Sequence, residues 1–151
     1  MILTTHMLAG AAIGKNIENP WLVAALSIII HFILDTFRHG EYLNQNSKLK
    51  EFWRVAIDLA VGYSIIMFIV FSSDFSDIKI KNILIGSFAS IFPDLLTFLY
   101  WKVNFKFLQF YINFHQKFHR YPPFSKEREW NLRNAANDIL VSVIAVILLL
   151  I

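Results

Sequence analysis

There is no cysteine in this chain, which removes a disulfide framework and any thiolate metal site together. A transition metal here has only imidazole nitrogen and carboxylate oxygen to bind. Charge is scarce too: Asp, Glu, Lys and Arg make up 17% of the 151 residues, against roughly a quarter in an ordinary soluble domain. The net charge is +3, but the cations form no basic stripe interleaved with aromatics, which argues against nucleic acid as a partner. Met1 to Gly14 has no basic leader region and already contains a histidine, so no cleavable signal peptide is expected. Internal repeats and low-complexity stretches are also missing.

What is abundant is apolar surface. Hydrophobic residues reach 56%, with 15 Phe, 5 Tyr and 4 Trp. A water-soluble domain of this size has too high a surface-to-volume ratio to bury that much. A lipid solvent removes the difficulty, and the length suits a single domain covering 1–151.

The apolar runs predict an all-α membrane bundle of about five embedded helices and one interfacial helix. Pro20 to Phe37, Val55 to Ser72 and Asn82 to Trp101 are each long enough to cross the hydrocarbon. Ile139 to Ile151 is short, but joins Asn131 to Asp138 as one helix. Ile2 to Gly14 is short and rich in Ala and Gly, suited to close helix packing. The turn at Asn16 to Pro20 folds it back antiparallel on the next helix. Phe105 to Phe118 mixes aromatics with Lys106, Gln109, Asn113 and Lys117, the pattern of a helix lying at the interface. The longest polar stretches, Arg38 to Arg54 and Arg120 to Asn137, read as loops. Eleven of the 14 Lys and Arg fall between the second and third helices or between the fourth and the last, leaving Lys15, Lys79 and Lys81. The positive-inside rule puts both long loops in the cytoplasm, hence an inner-membrane protein.

The chemistry concentrates in HFILDTFRHG. His31, Asp35 and His39 are four apart, so on a helix they drift only about 40° per step and share a face. Their rings and carboxylate can converge on one cation, as i, i+4 histidines do in zinc-binding helices. A purely structural alternative has His31 bonded to a neighbouring helix, Asp35 paired with Arg38 and His39 closing the helix. Three such groups on one face, two of them within an apolar span, favour function. HQKFHR repeats the spacing with His115 and His119, a weak signal alone. His6 completes the five histidines. It lies about 16 Å from the first turn and His31 about 20 Å, so the two meet at similar depth. Asp58, Asp94 and Asp138 each fall near the same end of a span, and Pro93 before Asp94 kinks or restarts its helix. Unpaired carboxylates there are costly, so shared metal ligation or His–Asp pairing accounts for them. Glu18, Asp74, Asp77, Glu127 and Glu129 read as solvated charges.

Taken in order, THMLAG, HFILDTFRHGEY, DLAVG, GSFASIFPDL and HQKFHR resemble the small bacterial membrane-bound metal-dependent hydrolases that include a LexA-regulated inner-membrane member. The resemblance covers nearly the whole chain and implies that His6, His31, Asp35, His39 and Asp94 are signature positions. One departure is Arg38, where the pattern carries Pro before His39.

The leading expectation is a metal-dependent hydrolase at the cytoplasmic leaflet. Asp35 and Asp94 are its catalytic carboxylates, and His6, His31, Asp35, His39, Asp58, Asp94, His115 and His119 its candidate metal ligands. Zn is the expected ion, with Mn or Mg as alternatives and a two-metal site open. A site at headgroup depth points to membrane lipid or another phosphoester amphiphile as substrate, with Arg38, Lys117 and Arg120 as headgroup contacts. A metal or proton transporter, a metal sensor and a purely structural membrane protein stand as alternatives, although the far halves of the spans carry no ionisable path.

Overall fold

A computed structural model describes residues 1–151 as six helices with no strand pairing beyond one isolated bridge between Glu41 and Glu129. In chain order these are α1 (Leu3–Asn16), α2 (Pro20–Asp35), α3 (Trp53–Ser72), α4 (Asp77–Val103), α5 (Gln109–His115) and α6 (Leu132–Leu150). Their starts are written in the sequence. Asn19 accepts from the Trp21 and Leu22 amides ahead of Pro20, Ser76 caps α4, and Asn131 caps α6, satisfying amides that no preceding turn can reach.

Three helices are long and apolar enough to cross a membrane: α3 with the short turn before it, α4 and α6. Of the five embedded helices expected, three are thus of spanning length, and α1 and α2 are shorter. α2 ends at Asp35 instead of Phe37, because the Thr36 amide folds onto the Ile33 carbonyl, the Phe37 amide onto the Leu34 carbonyl, and the Thr36 hydroxyl onto Ile33. Its 16 residues rise about 24 Å, short of a hydrocarbon layer about 30 Å thick. α4, by contrast, continues unbroken through Pro93. The interfacial segment is shorter than expected: a tight turn at Lys106–Leu108 and then the seven residues of α5.

α1 is the axis of the bundle, in contact with α2, α3, α4 and α6. Enclosure explains why so short a helix carries little charge and many small residues. Its tightest crossing is with α4, where Gly10 meets Gly86 and Gly14 meets Asn82 backbone to backbone. A side chain at any of these glycines would hold the two helices apart. Below the crossing, Leu8, Ile66, Ile69, Ile83, Ala145 and Leu149 form the apolar core. Outside it, Trp21, Phe68, Phe71, Phe88 and Leu150 are exposed, as expected where lipid is the solvent.

Both long loops lie at one end of the bundle. Arg38 Nε donates to Asn134 Oδ1, Asn137 Nδ2 to the Arg38 carbonyl, and Arg128 pairs with Glu41. The far end holds Lys15 on the Leu148 carbonyl and Asn82 on the Ile17 and Glu18 carbonyls. α1, α3 and α6 begin at the loop-bearing end, and α2 and α4 finish there.

Candidate metal centre

At that end, α2 delivers His31 and Asp35 on successive turns, both buried (0% and 1% exposed). α4 brings Asp94, and α5 brings His115 across from the opposite side. Asp35 lies at the middle. Its Oδ2 is 3.1 Å from both His31 Nε2 and His115 Nε2, and its Oδ1 is 3.3 Å from His6 Nε2. His31 Nε2 is 4.0 Å from Asp94 Oδ1.

The outer atoms of the rings decide what the inner ones can do. His31 Nδ1 lies 2.7 Å from the Ser90 carbonyl, which can only accept, so that nitrogen carries the proton. His115 Nδ1 lies 3.0 Å from Thr97 Oγ1, whose own hydrogen goes to the Pro93 carbonyl. In a neutral ring so oriented the inner Nε2 is bare, and the two inner nitrogens stand 3.1 Å apart beside a carboxylate oxygen. Lone pairs facing at that distance repel unless a cation or proton sits among them. Two ligands at roughly 2.0–2.1 Å in a tetrahedral shell stand about 3.3 Å apart, close to the separation found. Backbone orientation of the outer nitrogen is also the usual way a ligating imidazole is fixed.

Two groups of donor atoms result. His31, Asp35, Asp94 and His115 form one; Asp35, His39 and His119 form the other, each with donors within 4.8 Å of one another. Asp35 belongs to both, as a carboxylate bridging two cations does. His39 Nδ1 donates to the Phe37 carbonyl at 2.8 Å, and its Nε2 is buried without a hydrogen-bond partner, like both nitrogens of His6 and Nδ1 of His119. Orphaned buried nitrogens of this kind are costly, and divalent-cation binding would relieve those that face Asp35.

His39 and His119 do not reach the site as sequence spacing suggests. α2 ends at Asp35 and α5 at His115, so neither residue is helical. Each is returned by a loop. Gly40 permits this on the α2 side, where a Cβ would stand 2.9 Å from Trp130 Cα. His6 stacks on His31 with ring centroids 4.2 Å apart and borders the first group without joining it.

Asp58, grouped with the ligands on sequence grounds, lies elsewhere. Its oxygens accept from the Leu3 amide at 2.7 Å, the Thr4 amide at 3.1 Å, Thr4 Oγ1 at 2.6 Å and Tyr42 OH at 2.6 Å. Asp138 Oδ1 accepts from the Ile2 amide at 2.9 Å, and Asp35 Oδ1 from the Met1 amine at 2.9 Å. Three carboxylates thus fan around the start of α1, where orphan amides and the helix dipole favour negative charge. That accounts for two of them without a metal. Asp58→Ala is expected to lower stability by about 2–3 kcal/mol and leave metal content unchanged. Thermal unfolding beside metal analysis of the same preparation checks this; parallel loss of metal would return Asp58 to the ligand set.

Two residues escaped the sequence reading. Glu41 Oε1 lies 3.6 Å from His39 Nε2 and 3.7 Å from His119 Nδ1, and pairs with Arg128. Burial alone would raise the Glu41 carboxyl, but His39 and Arg128 outweigh it and hold it at about 2. Burial pushes His119 down to about 3, against the pull of Asp35; the ring is neutral at pH 7 and able to ligate. Glu41 adjoins the histidine motif in HGEY, a signal within reach. Arg128, in KERE, resembles an ordinary solvated loop charge. Arg38, expected at a headgroup, is engaged by Asn134 instead, and Lys117 is exposed.

Comparisons with models of protein families, with curated proteins and with solved structures return no match to this chain.

Proposed function

We propose that this protein is a membrane-embedded, metal-dependent hydrolase of phosphoester amphiphiles. The observation that supports this is the pair of Nε2 atoms of His31 and His115, 3.1 Å apart and each 3.1 Å from one oxygen of a buried carboxylate, with Asp94 lining the open cavity beside them. His31, Asp35, Asp94 and His115 would hold one divalent cation, and Asp35, His39 and His119 a second. Zn suits the nitrogen-rich set, with Mn or Mg as alternatives. A cation held there supplies Lewis acidity and brings the pKa of water toward neutrality.

The chain's own residues supply the rest. Asp94, 30% exposed and facing the cavity, accepts the proton of the attacking water. Arg128, held by Glu41 beside His119, orients the anionic ester. His6 braces His31 by stacking. The motif-level resemblance to small bacterial membrane hydrolases agrees with this reading. A transporter needs ionisable groups through the whole thickness, and the buried polar residues beyond Ser90 are Ser27, Ser87 and Asn82 alone.

The test is purified protein in detergent, metal-depleted and then reloaded with Zn²⁺, Mn²⁺ or Mg²⁺, assayed on phosphate-ester amphiphiles. The expected result is one to two equivalents of metal in the wild type, a large loss in His31→Ala, and metal-dependent turnover. Metal without turnover on any substrate favours a sensor or transporter; no metal overturns the reading.

The clustering of cations in both loops of the site end supports a cytoplasmic orientation for it. Cysteines introduced at Asn46 and Lys126 should be shielded from an impermeant reagent in intact cells, and one at Ser76 labelled. Labelling of Asn46 and Ser76 from the same side would contradict the bundle's topology.

A further inference from the structure

α3 packs along α1 and stands off α4, leaving a cavity of about 550 Å³ between them. Phe52, Ala56 and Leu59 line one wall, and Phe88, Phe92 and Leu95 the other. Phe88 is 58% exposed, so the cleft is open along its outer side to whatever surrounds the span. Its inner end is polar, closed by Asp94, His115 and His119 of the metal centre. Two cations stand at its loop end, tied to the segment that roofs it. Lys102 Nζ donates to the Ser47 and Gln45 carbonyls at 2.6 and 3.1 Å, and Arg54 Nη1 to the Tyr42 carbonyl at 3.2 Å.

An apolar cleft of this size does not hold water well. One turn of a helix, at a diameter of about 10–12 Å, displaces roughly 400–600 Å³, so no helix from another chain fits along its length. A hydrocarbon chain does fit. We propose that the cleft takes one acyl chain of an anionic membrane lipid, which enters sideways between α3 and α4 and carries its headgroup to the loop end, beside Lys102 and Arg54 and within reach of Asp94. Lipid tails are as apolar as these walls, so the chain gains little by transfer from bilayer to cleft. Selection falls to the headgroup, through Lys102 and Arg54 at the rim. Each cation near a membrane surface is worth about fivefold in favour of an anionic lipid. The inference rests on the proposed function only for the group that meets the phosphate.

The test uses the full chain in phosphatidylcholine vesicles doped with phosphatidic acid carrying a mid-chain diazirine. A phosphatidylcholine probe with the same chain serves as the comparison. After irradiation, peptides covering residues 52–59 and 88–98 should be labelled by the anionic probe at least about fivefold more than by the zwitterionic one. Ala56→Trp fills the cleft from an exposed position on α3 and should cut that labelling at least fivefold, with the outer face of α6 at Ile139 to Ile144 unchanged. Lys102→Gln should bring the two probes closer to parity without blocking the cleft. Labelling of the cleft no stronger than that of the α6 face, or indifferent to Ala56→Trp, would identify ordinary surrounding lipid and overturn the proposal. So would loss of cleft labelling as the protein-to-lipid ratio rises, the sign of a second copy of the chain covering the cleft. Labelling needs neither metal nor turnover: cleft-specific labelling with no hydrolysis would retain the lipid site and sink the enzyme.

Discussion

Asp35→Asn should remove metal binding by at least about 100-fold, more than the loss of a partner behind a ligand, and lower metal-dependent hydrolysis by about 10³-fold or more. No other side chain belongs to both groups of donor atoms, so neutralising it damages both at once. The amide keeps the shape and one acceptor oxygen but gives up the charge facing the Met1 amine, His31 and His115. Some stability falls with it, because a buried partner is left without its counter-charge. The decisive readout is therefore the metal-induced rise in melting temperature. A cation at 100 times its Kd stabilises the wild type by about 2.7 kcal/mol, and the variant should show almost none. Asp94→Asn provides the contrast. Being partly exposed at the cavity and making no hydrogen bond to the α1 terminus, it should lose turnover with a much smaller change in the metal-free melting temperature. If Asp35→Asn instead binds metal normally and merely melts earlier, the cluster is structural.

Gly86→Ala should be the most damaging small change outside the centre, costing about 3 kcal/mol or more. A Cβ there would run into the Gly10 carbonyl of α1, and both sides of that contact are backbone. Backbone cannot rotate away, so α1 and α4 must separate. His6 and Ser90 ride on the same crossing, the Ser90 hydroxyl donating to the His6 carbonyl at 2.6 Å, so the centre loosens with it. Gly62→Ala is the control. Its Cβ would meet Met7 Sδ, a flexible side chain able to yield, at 3.0 Å and the Thr4 Cα at 3.2 Å, so the helices need give by only a few tenths of an ångström, and the expected cost is about 1 kcal/mol. Thermal unfolding of both variants in the same detergent separates the cases. Equal effects would mean that the helix crossing has slack.

How much of this was legible in the chain depends on the range of the force involved. Capping, helix type and approximate helix position follow from nearest neighbours and from apolar runs. The turn at Asn16 to Pro20, the start of the last helix near Asn131 and the long spans now α3 and α4 were all readable. The chemistry of the centre was readable as well, because His31 and Asp35 lie one turn apart inside an apolar run, where such groups are expensive without a purpose. Sequence periodicity failed where helices end. Thr36 and Gln116 close α2 and α5 early, so His39 and His119 arrive through loops and not along a shared helical face.

Tertiary structure alone decided which carboxylates belong together. Asp35, Asp58 and Asp138 look alike in sequence, each an acid near one end of an apolar helix. Only the seating of α1 along the bundle axis separates them, since its first amides claim Asp58 and Asp138, while Asp35 takes the Met1 amine and the histidines. The same holds for Glu41 and Arg128, 87 residues apart in the chain and paired in the fold. Such pairings depend on backbones brought together by Gly10, Gly14 and Gly86, a fit of surfaces that no local window of residues contains.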